Sequence, residues 1–327
     1  MISYLQAIVI GLLQGVTELF PVSSLGHSVL LPALLGWHQV VASQSARESF
    51  YLAFLVGLHV ATALALLWFY RAQWARIVSG LFRSLRHRGI RTADERLGWL
   101  LVVATVPAGL VGIAFEHALR SLFAKPLAAA VFLTCNGVIL LAGERLRRRA
   151  VRRAEAPVRT TPDAELAAAS GDGPTTIAGG AAPISHGIPP GMPDGLDPPT
   201  RQLGTLGFGE ALLIGSAQIL AFFAGISRSG VTMVAGLARG LDHEDAAHLA
   251  FLLATPIILA AGLYKLPDFL GPNGDGVRGQ VLAGSVVAAF AAYLSVRFLS
   301  RYFRTRTLTP FAIYSLVVGV ACIIRFA

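Results

Sequence analysis

Gln14 and Glu18 lie four residues apart in an otherwise apolar stretch, and the run Pro21-Val22-Ser23-Ser24-Leu25-Gly26-His27 follows at once. A spacing of four puts both polar side chains on one face of a helix. Pro21 ends that helix, and Ser23, Ser24 and Gly26 make a tight tip. A carboxylate among apolar residues is costly, so Glu18 points first to function. A structural cap or a crosslink between helices is the plainer alternative for Glu18, as a hydrogen-bonded packing role is for His27. Much further along, residues 222–232 read FFAGISRSGVT, with Arg228 between Ser227 and Ser229 and with Gly225, Gly230 and Thr232 nearby. Glycines at such a tip let backbone N–H groups turn inward, and a helix starting near Ser229 aims its positive end at the same place. Guanidinium, hydroxyls and a helix N-terminus together describe an oxyanion site, most simply one for phosphate. Arg228 lies away from the ends of any apolar segment, which weakens its reading as a snorkelling anchor.

Taken together, the two segments supply a carboxylate that can also bind a metal, an imidazole, hydroxyl nucleophiles and an anion clamp. Those are the parts of a phosphoryl-transfer site: charge stabilisation, a nucleophile or positioned water, and a proton source for the leaving group. The other histidines are weaker candidates. His59 lies in an apolar segment and could line a cavity, while His38, His87, His117, His186, His243 and His248 have no such company. Cys135 and Cys322 sit singly in apolar segments and read as small packing residues.

The elements that must position these residues are membrane helices. The mean hydropathy is +0.64, and only 14% of residues are charged against about a quarter in ordinary soluble domains. Six segments are long and apolar enough to cross a bilayer: about 49–70, 99–116, 126–143, 247–266, 279–297 and 308–326. The first segment, Ile2 to Phe20, lacks a basic leader and carries Gln6, Gln14 and Glu18, so it is not read as a signal peptide. Residues 2–36 and 207–240 are each interrupted by small and polar residues. Broken helices at membrane depth require a covering of protein or a wet cavity, so both are expected to be re-entrant hairpins.

The formal charge of +9 comes from arginines between the apolar segments and does not indicate nucleic acid. Arg71 to Arg96, Arg145 to Arg159 and Arg297 to Arg306 are expected in cytoplasmic loops, which puts both termini on the outer side. Residues 146–206 become rich in Ala, Gly, Pro, Thr and Asp and are expected to be a disordered cytoplasmic linker. The fold expected is therefore an all-α integral membrane protein of six transmembrane helices and two re-entrant helical hairpins. Residues 1–145 form one repeat and residues 207–327 a second, each a hairpin plus three spans. An odd number of crossings per half inverts the second repeat and puts the site near the midplane, where the hairpins meet.

At these residues the chain resembles the undecaprenyl-diphosphate phosphatase family, also known for bacitracin resistance. The family's E/Q-x-x-x-E pair followed by PVSSxGH corresponds to Gln14, Glu18 and Pro21 to His27. Its P-G-x-S-R-S-G-x-T signature corresponds to Ala224 to Thr232, with Ala224 in place of the usual proline, and Phe251 to Gly262 is similar to the segment that follows. The resemblance implies hydrolysis of undecaprenyl diphosphate in the bacterial inner membrane, which recycles the lipid carrier of peptidoglycan biosynthesis. It also implies a divalent cation, Mg²⁺ or Ca²⁺, and a site open to the outer face. Glu18 then corresponds to the essential acid and metal ligand, His27 to the catalytic histidine, Ser24 to the hydroxyl suggested as nucleophile and Arg228 to the phosphate-binding arginine. Ser23, Ser227, Ser229, Gly230, Thr232 and Gln14 complete the expected phosphate-binding set. Gln14 removes one metal ligand where the pattern also allows Glu, and His59 stands where many relatives have Gln.

The expected partner is a polyprenyl diphosphate in membrane lipid, not nucleic acid, and a homodimer is a candidate assembly. Two rival classes stay open at this point. A flippase or secondary transporter would also have inverted repeats with midplane charges, Glu18 and Arg228 then being a coupling pair. A purely structural scaffold is the third, and the clustered polar tips argue against it.

Overall fold

A computed structural model of the chain describes residues 2–37, 40, 50–114, 125–155, 203–270 and 277–327, and every regular element within them is helical. In chain order these are α1 (Tyr4–Thr17), α2 (Ser24–Leu34), α3 (Phe50–Phe69), α4 (Arg71–His87), α5 (Ala93–Ala114), α6 (Pro126–Glu155), α7 (Phe208–Ala217), α8 (Arg228–Ala238), α9 (His243–Leu270), α10 (Arg278–Tyr302) and α11 (Thr309–Phe326). Short 3₁₀ turns precede α7 and follow it, the second at Gln218–Phe222. Five helices, α5, α6, α9, α10 and α11, are long and apolar enough to cross a membrane. A sixth passes only as a pair, Phe54–Phe69 with Arg71–His87, bent by 88°. The protein is thus a multi-pass membrane protein, and α1, α2 and α7 are shorter apolar helices, as the interruptions in sequence predict.

Local sequence explains how the short helices start and stop. Ser3 and Gln6 cap α1 reciprocally: the Gln6 N–H donates to Ser3 Oγ at 3.2 Å, and the Ser3 N–H to Gln6 Oε1 at 2.9 Å. At α7 only one half of this is present, Glu210 accepting from the Gly207 N–H at 2.8 Å. Helical hydrogen bonding runs on to Phe20 and stops at Pro21, which has no N–H to continue it. The two following helices begin on serine caps, Ser23 for α2 and Ser227 for α8, each accepting from the N–H three residues on at 3.2 Å.

Close helix packing holds these pairs in place. Helix α1 packs along α10 and α7 along α5, while α6 pairs with α11 and α9 runs through the middle as the most deeply buried span. A Cβ at Gly11 would collide with the Gly284 carbonyl of α10, and one at Gly215 with the Ala104 carbonyl of α5. Small residues let helix backbones approach closely where lipid provides no hydrophobic drive between helices. The main core, with Leu140, Met233, Leu237, Leu252 and Val296 buried, lies among α3 to α11.

Two expectations need correction. The arginine-rich loop after the first span is α4 plus the first turn of α5. Its apolar residues at 74, 77, 78, 81, 82 and 85 recur at helical spacing beneath the charges. Likewise α6 runs on through the arginines to Glu155, past the expected start of the linker at 146, because arginine is a good helix former and its charge is tolerated beyond the apolar part of the span. The rest of the expected linker, residues 156–202, lies outside the described residues.

Candidate active site

The two short-helix pairs meet tip to tip, and Glu18 stands at the meeting point. It is 7% exposed and is surrounded by donors. Its Oε1 accepts from Arg228 Nη2 at 2.5 Å. Its Oε2 accepts from Ser24 Oγ at 2.5 Å and from Gln14 Nε2 at 3.0 Å, and His59 Nε2 is 3.3 Å away. Gln14 and Glu18 do share one helix face, and the arginine from the far half of the chain closes on the same carboxylate.

Two buried polar atoms here have no partner among the described residues: Arg228 Nη1 and Gln14 Oε1. Native interiors rarely leave such atoms unpaired, and an unpaired donor and acceptor beside a buried ion pair invite a ligand. Arg228 is the first residue of α8, so its guanidinium and the positive end of that helix coincide. The Gly230 N–H is satisfied by Ser227 Oγ and the Val231 N–H by the Ser227 carbonyl. The N–H groups of Arg228 and Ser229 therefore lack an intrahelical acceptor. Not all the expected phosphate-binding hydroxyls are free. Thr232 Oγ1 donates back to the Arg228 carbonyl at 2.8 Å, and Ser227 and Ser229 are hydrogen-bonded to each other at 3.0 Å. They shape the helix start, while the arginine and the backbone supply the open donors.

His27 faces elsewhere. Its Nδ1 lies 2.7 Å from the Ser23 carbonyl, which can only accept, so the ring proton sits on Nδ1. Its Nε2 then accepts from the Tyr314 hydroxyl at 2.9 Å in the neutral ring, and the two rings stack with centroids 5.7 Å apart. Among the described residues His27 makes no hydrogen bond to Glu18, Ser24 or Arg228. The imidazole against Glu18 is His59 of α3, whose Nδ1 donates to the Leu55 carbonyl at 2.7 Å.

Asn136 is the residue that sequence reasoning missed. Fully buried on α6, it accepts from the Ser227 N–H at 3.0 Å and donates to the Pro21 carbonyl at 3.0 Å and to Ser315 Oγ at 3.2 Å. One side chain thus joins the first tip at Pro21 to the second tip at Ser227, the cap of α8. Ser23 adds a second link, its Oγ accepting from the Gly225 N–H at 3.1 Å. Ser23 itself has φ 71°, a strained value for a residue other than glycine, and Gly225 opposite it has φ 120°. A Cβ on Gly26 would press on Gly225, so the tips touch backbone to backbone. The only hint of Asn136 in sequence is an amide within an apolar span.

Sequence comparison gives the family. A model of the family described as "Bacitracin resistance protein BacA" matches residues 7–169 and 181–321. The chain belongs to that family. Both tips lie inside the matched ranges. A Frankia alni protein named undecaprenyl-diphosphatase 2 is 59% identical, covering 100% of this chain and 98% of its own length. An undecaprenyl-diphosphatase of Mycolicibacterium paratuberculosis is 55% identical with the same coverage. A Burkholderia lata undecaprenyl-diphosphatase 2 is 39% identical over 96% of this chain and 94% of its own.

A divalent cation can be tested against this site. Among the described residues no three His, Cys, Asp or Glu side chains gather to hold a metal ion. Glu18 and the unpartnered Gln14 Oε1 are oxygen donors available here. Mg²⁺ is commonly held by one or two protein oxygens plus substrate phosphates and water. The donor set therefore fits an ion that enters with a phosphorylated substrate, not one caged by protein alone.

Proposed function

We propose that this chain is an undecaprenyl-diphosphate phosphatase of the bacterial inner membrane, converting undecaprenyl diphosphate and water to undecaprenyl phosphate and inorganic phosphate. The observation that carries this reading is the buried Glu18–Arg228 pair with Arg228 Nη1 unmatched, at the N-terminus of α8. The same reaction is named in relatives that span the whole chain. In the free protein Glu18 is the only acid paired with Arg228 among the described residues. An incoming diphosphate offers a denser anionic partner and draws the guanidinium onto its oxygens, with the open N–H groups of α8 beside it.

Freed of Arg228, Glu18 can accept a proton. Ser24 already donates its hydroxyl to Glu18, so attack of Ser24 Oγ on the terminal phosphorus passes that proton to the carboxylate. The bond to the bridging oxygen breaks and undecaprenyl phosphate leaves. Water then cleaves the phosphoserine to release phosphate, restoring Ser24 and leaving Glu18 to shed its proton. In the alternative route Glu18 takes the proton of a water that attacks directly, and Ser24 only orients the carboxylate. In both, Gln14 holds Glu18 in place and His59, 3.3 Å from Glu18 Oε2, is the imidazole beside the proton being moved, while His27, bound to Ser23 and Tyr314, steadies the tip. Glu18 and Gln14 would hold Mg²⁺ or Ca²⁺, whose charge would offset that of the phosphoryl oxygens when bound.

The finer architecture belongs to the same proposal: six spans and two re-entrant hairpins in inverted repeats. Support comes from the two helix pairs, which align without insertion and share Ile, Gly, Gln, Ser and Gly at matching positions, and from their packing. The first pair leans on α10 of the second half, and the second on α5 of the first half, through equivalent glycines. The site then opens to the outer face, opposite the arginine-rich ends. The transport reading draws no support from the relatives. A homodimer is retained as a candidate assembly.

The test is phosphate release from undecaprenyl diphosphate by purified protein in detergent, with and without a chelator. Arg228→Ala should lose roughly 10³-fold or more of the turnover while keeping the wild-type melting temperature to within a few degrees. Near-normal turnover in that variant removes the clamp from the mechanism, and activity untouched by chelator removes the cation.

A further inference from the structure

We propose that α4 lies in the plane of the bilayer surface and binds the headgroups of anionic glycerophospholipids. The first ground is its direction. Helix α3, Phe50–Phe69, has the 20 residues needed to cross a bilayer without α4, and the chain turns by 88° between Phe54–Phe69 and Arg71–His87, so α4 runs nearly at right angles to that span. Immediately before the turn Trp68 is 64% exposed. The Arg71 guanidinium lies 5.0 Å over its ring and donates to the Trp68 carbonyl at 3.1 Å. An exposed tryptophan under a basic residue is what the boundary between hydrocarbon and headgroups favours.

The second ground is that α4 has three faces where a helix packed on a soluble core needs two. One face, with Ile77, Gly80 and Ser84 buried, rests on α5, where Trp99 Nε1 donates to Ser84 Oγ at 2.7 Å. A second is apolar and uncovered: Val78, Phe82 and Leu85, at helical spacing, are 44%, 70% and 59% exposed. The third is basic, with Arg76, Arg83 and Arg86. A helix held at a bilayer surface buries such an apolar strip at the acyl boundary and keeps its basic face among the headgroups. Water against the apolar strip and hydrocarbon against the arginines are both unfavourable, so only the interface suits the two faces together.

Charge identifies the lipid. Arg76 and Arg83 are paired to Asp94 and Glu95 at the start of α5, at 3.5 and 3.9 Å. Arg86, with Arg88 and Arg91 just past the end of the helix, has no acidic partner among the described residues. Three unpaired guanidiniums at the end of an interfacial helix match phosphate-bearing headgroups with net negative charge, which zwitterionic lipids lack. None of these residues belongs to the site around Glu18.

Hydrogen exchange measured by mass spectrometry on the full chain tests both parts. The protein is placed in nanodiscs of phosphatidylcholine alone or with 30 mol% phosphatidylglycerol. Peptides covering residues 71–91 should exchange several-fold more slowly in the anionic discs. The triple variant Arg86→Gln/Arg88→Gln/Arg91→Gln should lose that difference, with phosphatase turnover in detergent unchanged. Native mass spectrometry with added phosphatidylglycerol should show affinity falling roughly fivefold per arginine removed. Phe82→Asp should speed exchange of the same peptides in both kinds of disc. Equal exchange in the two lipids, or protection by undecaprenyl phosphate but not phosphatidylglycerol, overturns the choice of lipid. Exchange of wild-type α4 that is as fast as a water-exposed loop in either disc overturns the in-plane placement.

Discussion

The two short-helix pairs, α1–α2 and α7–α8, are one construction used twice with different chemistry. Laid over each other without insertion, Ile10 meets Ile214, Gly11 meets Gly215, Gln14 meets Gln218, Ser23 meets Ser227 and Gly26 meets Gly230. Both first helices are capped by the side chain of their third residue, Gln6 or Glu210. Both second helices are 11 residues long and start on a serine cap. Both buried glutamines have an Oε1 atom without a partner among the described residues. The differences fall where the chemistry is. Glu18 stands opposite Phe222, Ser24 opposite Arg228, and His27 opposite Val231. Each tip alone is half a site, and a scaffold able to place two helix starts face to face can put a carboxylate on one and a guanidinium on the other.

The comparison can be broken hardest at Glu18. Glu18→Gln keeps the shape but removes the charge and leaves one amide oxygen where two carboxylate oxygens accept from Arg228 and Ser24, while Phe222→Leu at the matching position changes only packing. Turnover should fall roughly 10³-fold in the first and by less than tenfold in the second. Similar losses in both would mean that the two tips contribute alike. The next largest effect is expected at Asn136. Asn136→Ala leaves the Pro21 carbonyl and the Ser227 N–H buried and unpaired, which costs about 1–3 kcal/mol for each group. Thermal melting in detergent should show the loss, and kcat should fall more than KM rises because the tips lose their registration.

Gly11→Ala and Gly215→Ala sharpen the comparison directly. Each methyl would strike a backbone carbonyl of the neighbouring span, and overpacking of this kind costs roughly 1–3 kcal/mol. Similar shifts in melting temperature support equivalent seats for the two pairs, whereas a shift in only one shows that the repeat is not structurally equal. The smallest effect is expected for Tyr314→Phe, which keeps the ring on His27 and deletes the hydroxyl donated to Nε2. A change of a fewfold in kcat with KM constant fits a positioning role for Tyr314, and an unchanged kcat leaves it as packing.

How much of this was legible in sequence varied with the kind of interaction. The Gln14–Glu18 pair was, because helical periodicity sets it before any tertiary contact forms. The serine caps were legible only as tip residues, since Ser23 and Ser227 are bound chiefly by what lies three residues ahead. His59 was harder: nothing local distinguishes a histidine on α3 that reaches Glu18 from one facing lipid. Asn136 was harder still, being a single amide whose three partners come from three distant segments. Helix α4 was obscured by its arginines, which read as loop charge although its apolar residues kept helical spacing.

Composition and the spacing of apolar residues by themselves determined that this is a helical membrane protein with two interrupted segments, and which polar side chains those segments carry. These are local properties, fixed by the length of hydrocarbon to be crossed and by the turn of a helix. Only the tertiary structure decided that Glu18 meets Arg228, that His59 and not His27 lies against the carboxylate, and that Asn136 joins the tips. Those facts depend on how distant helices approach through glycines and alanines, and no single stretch of chain encodes such an approach.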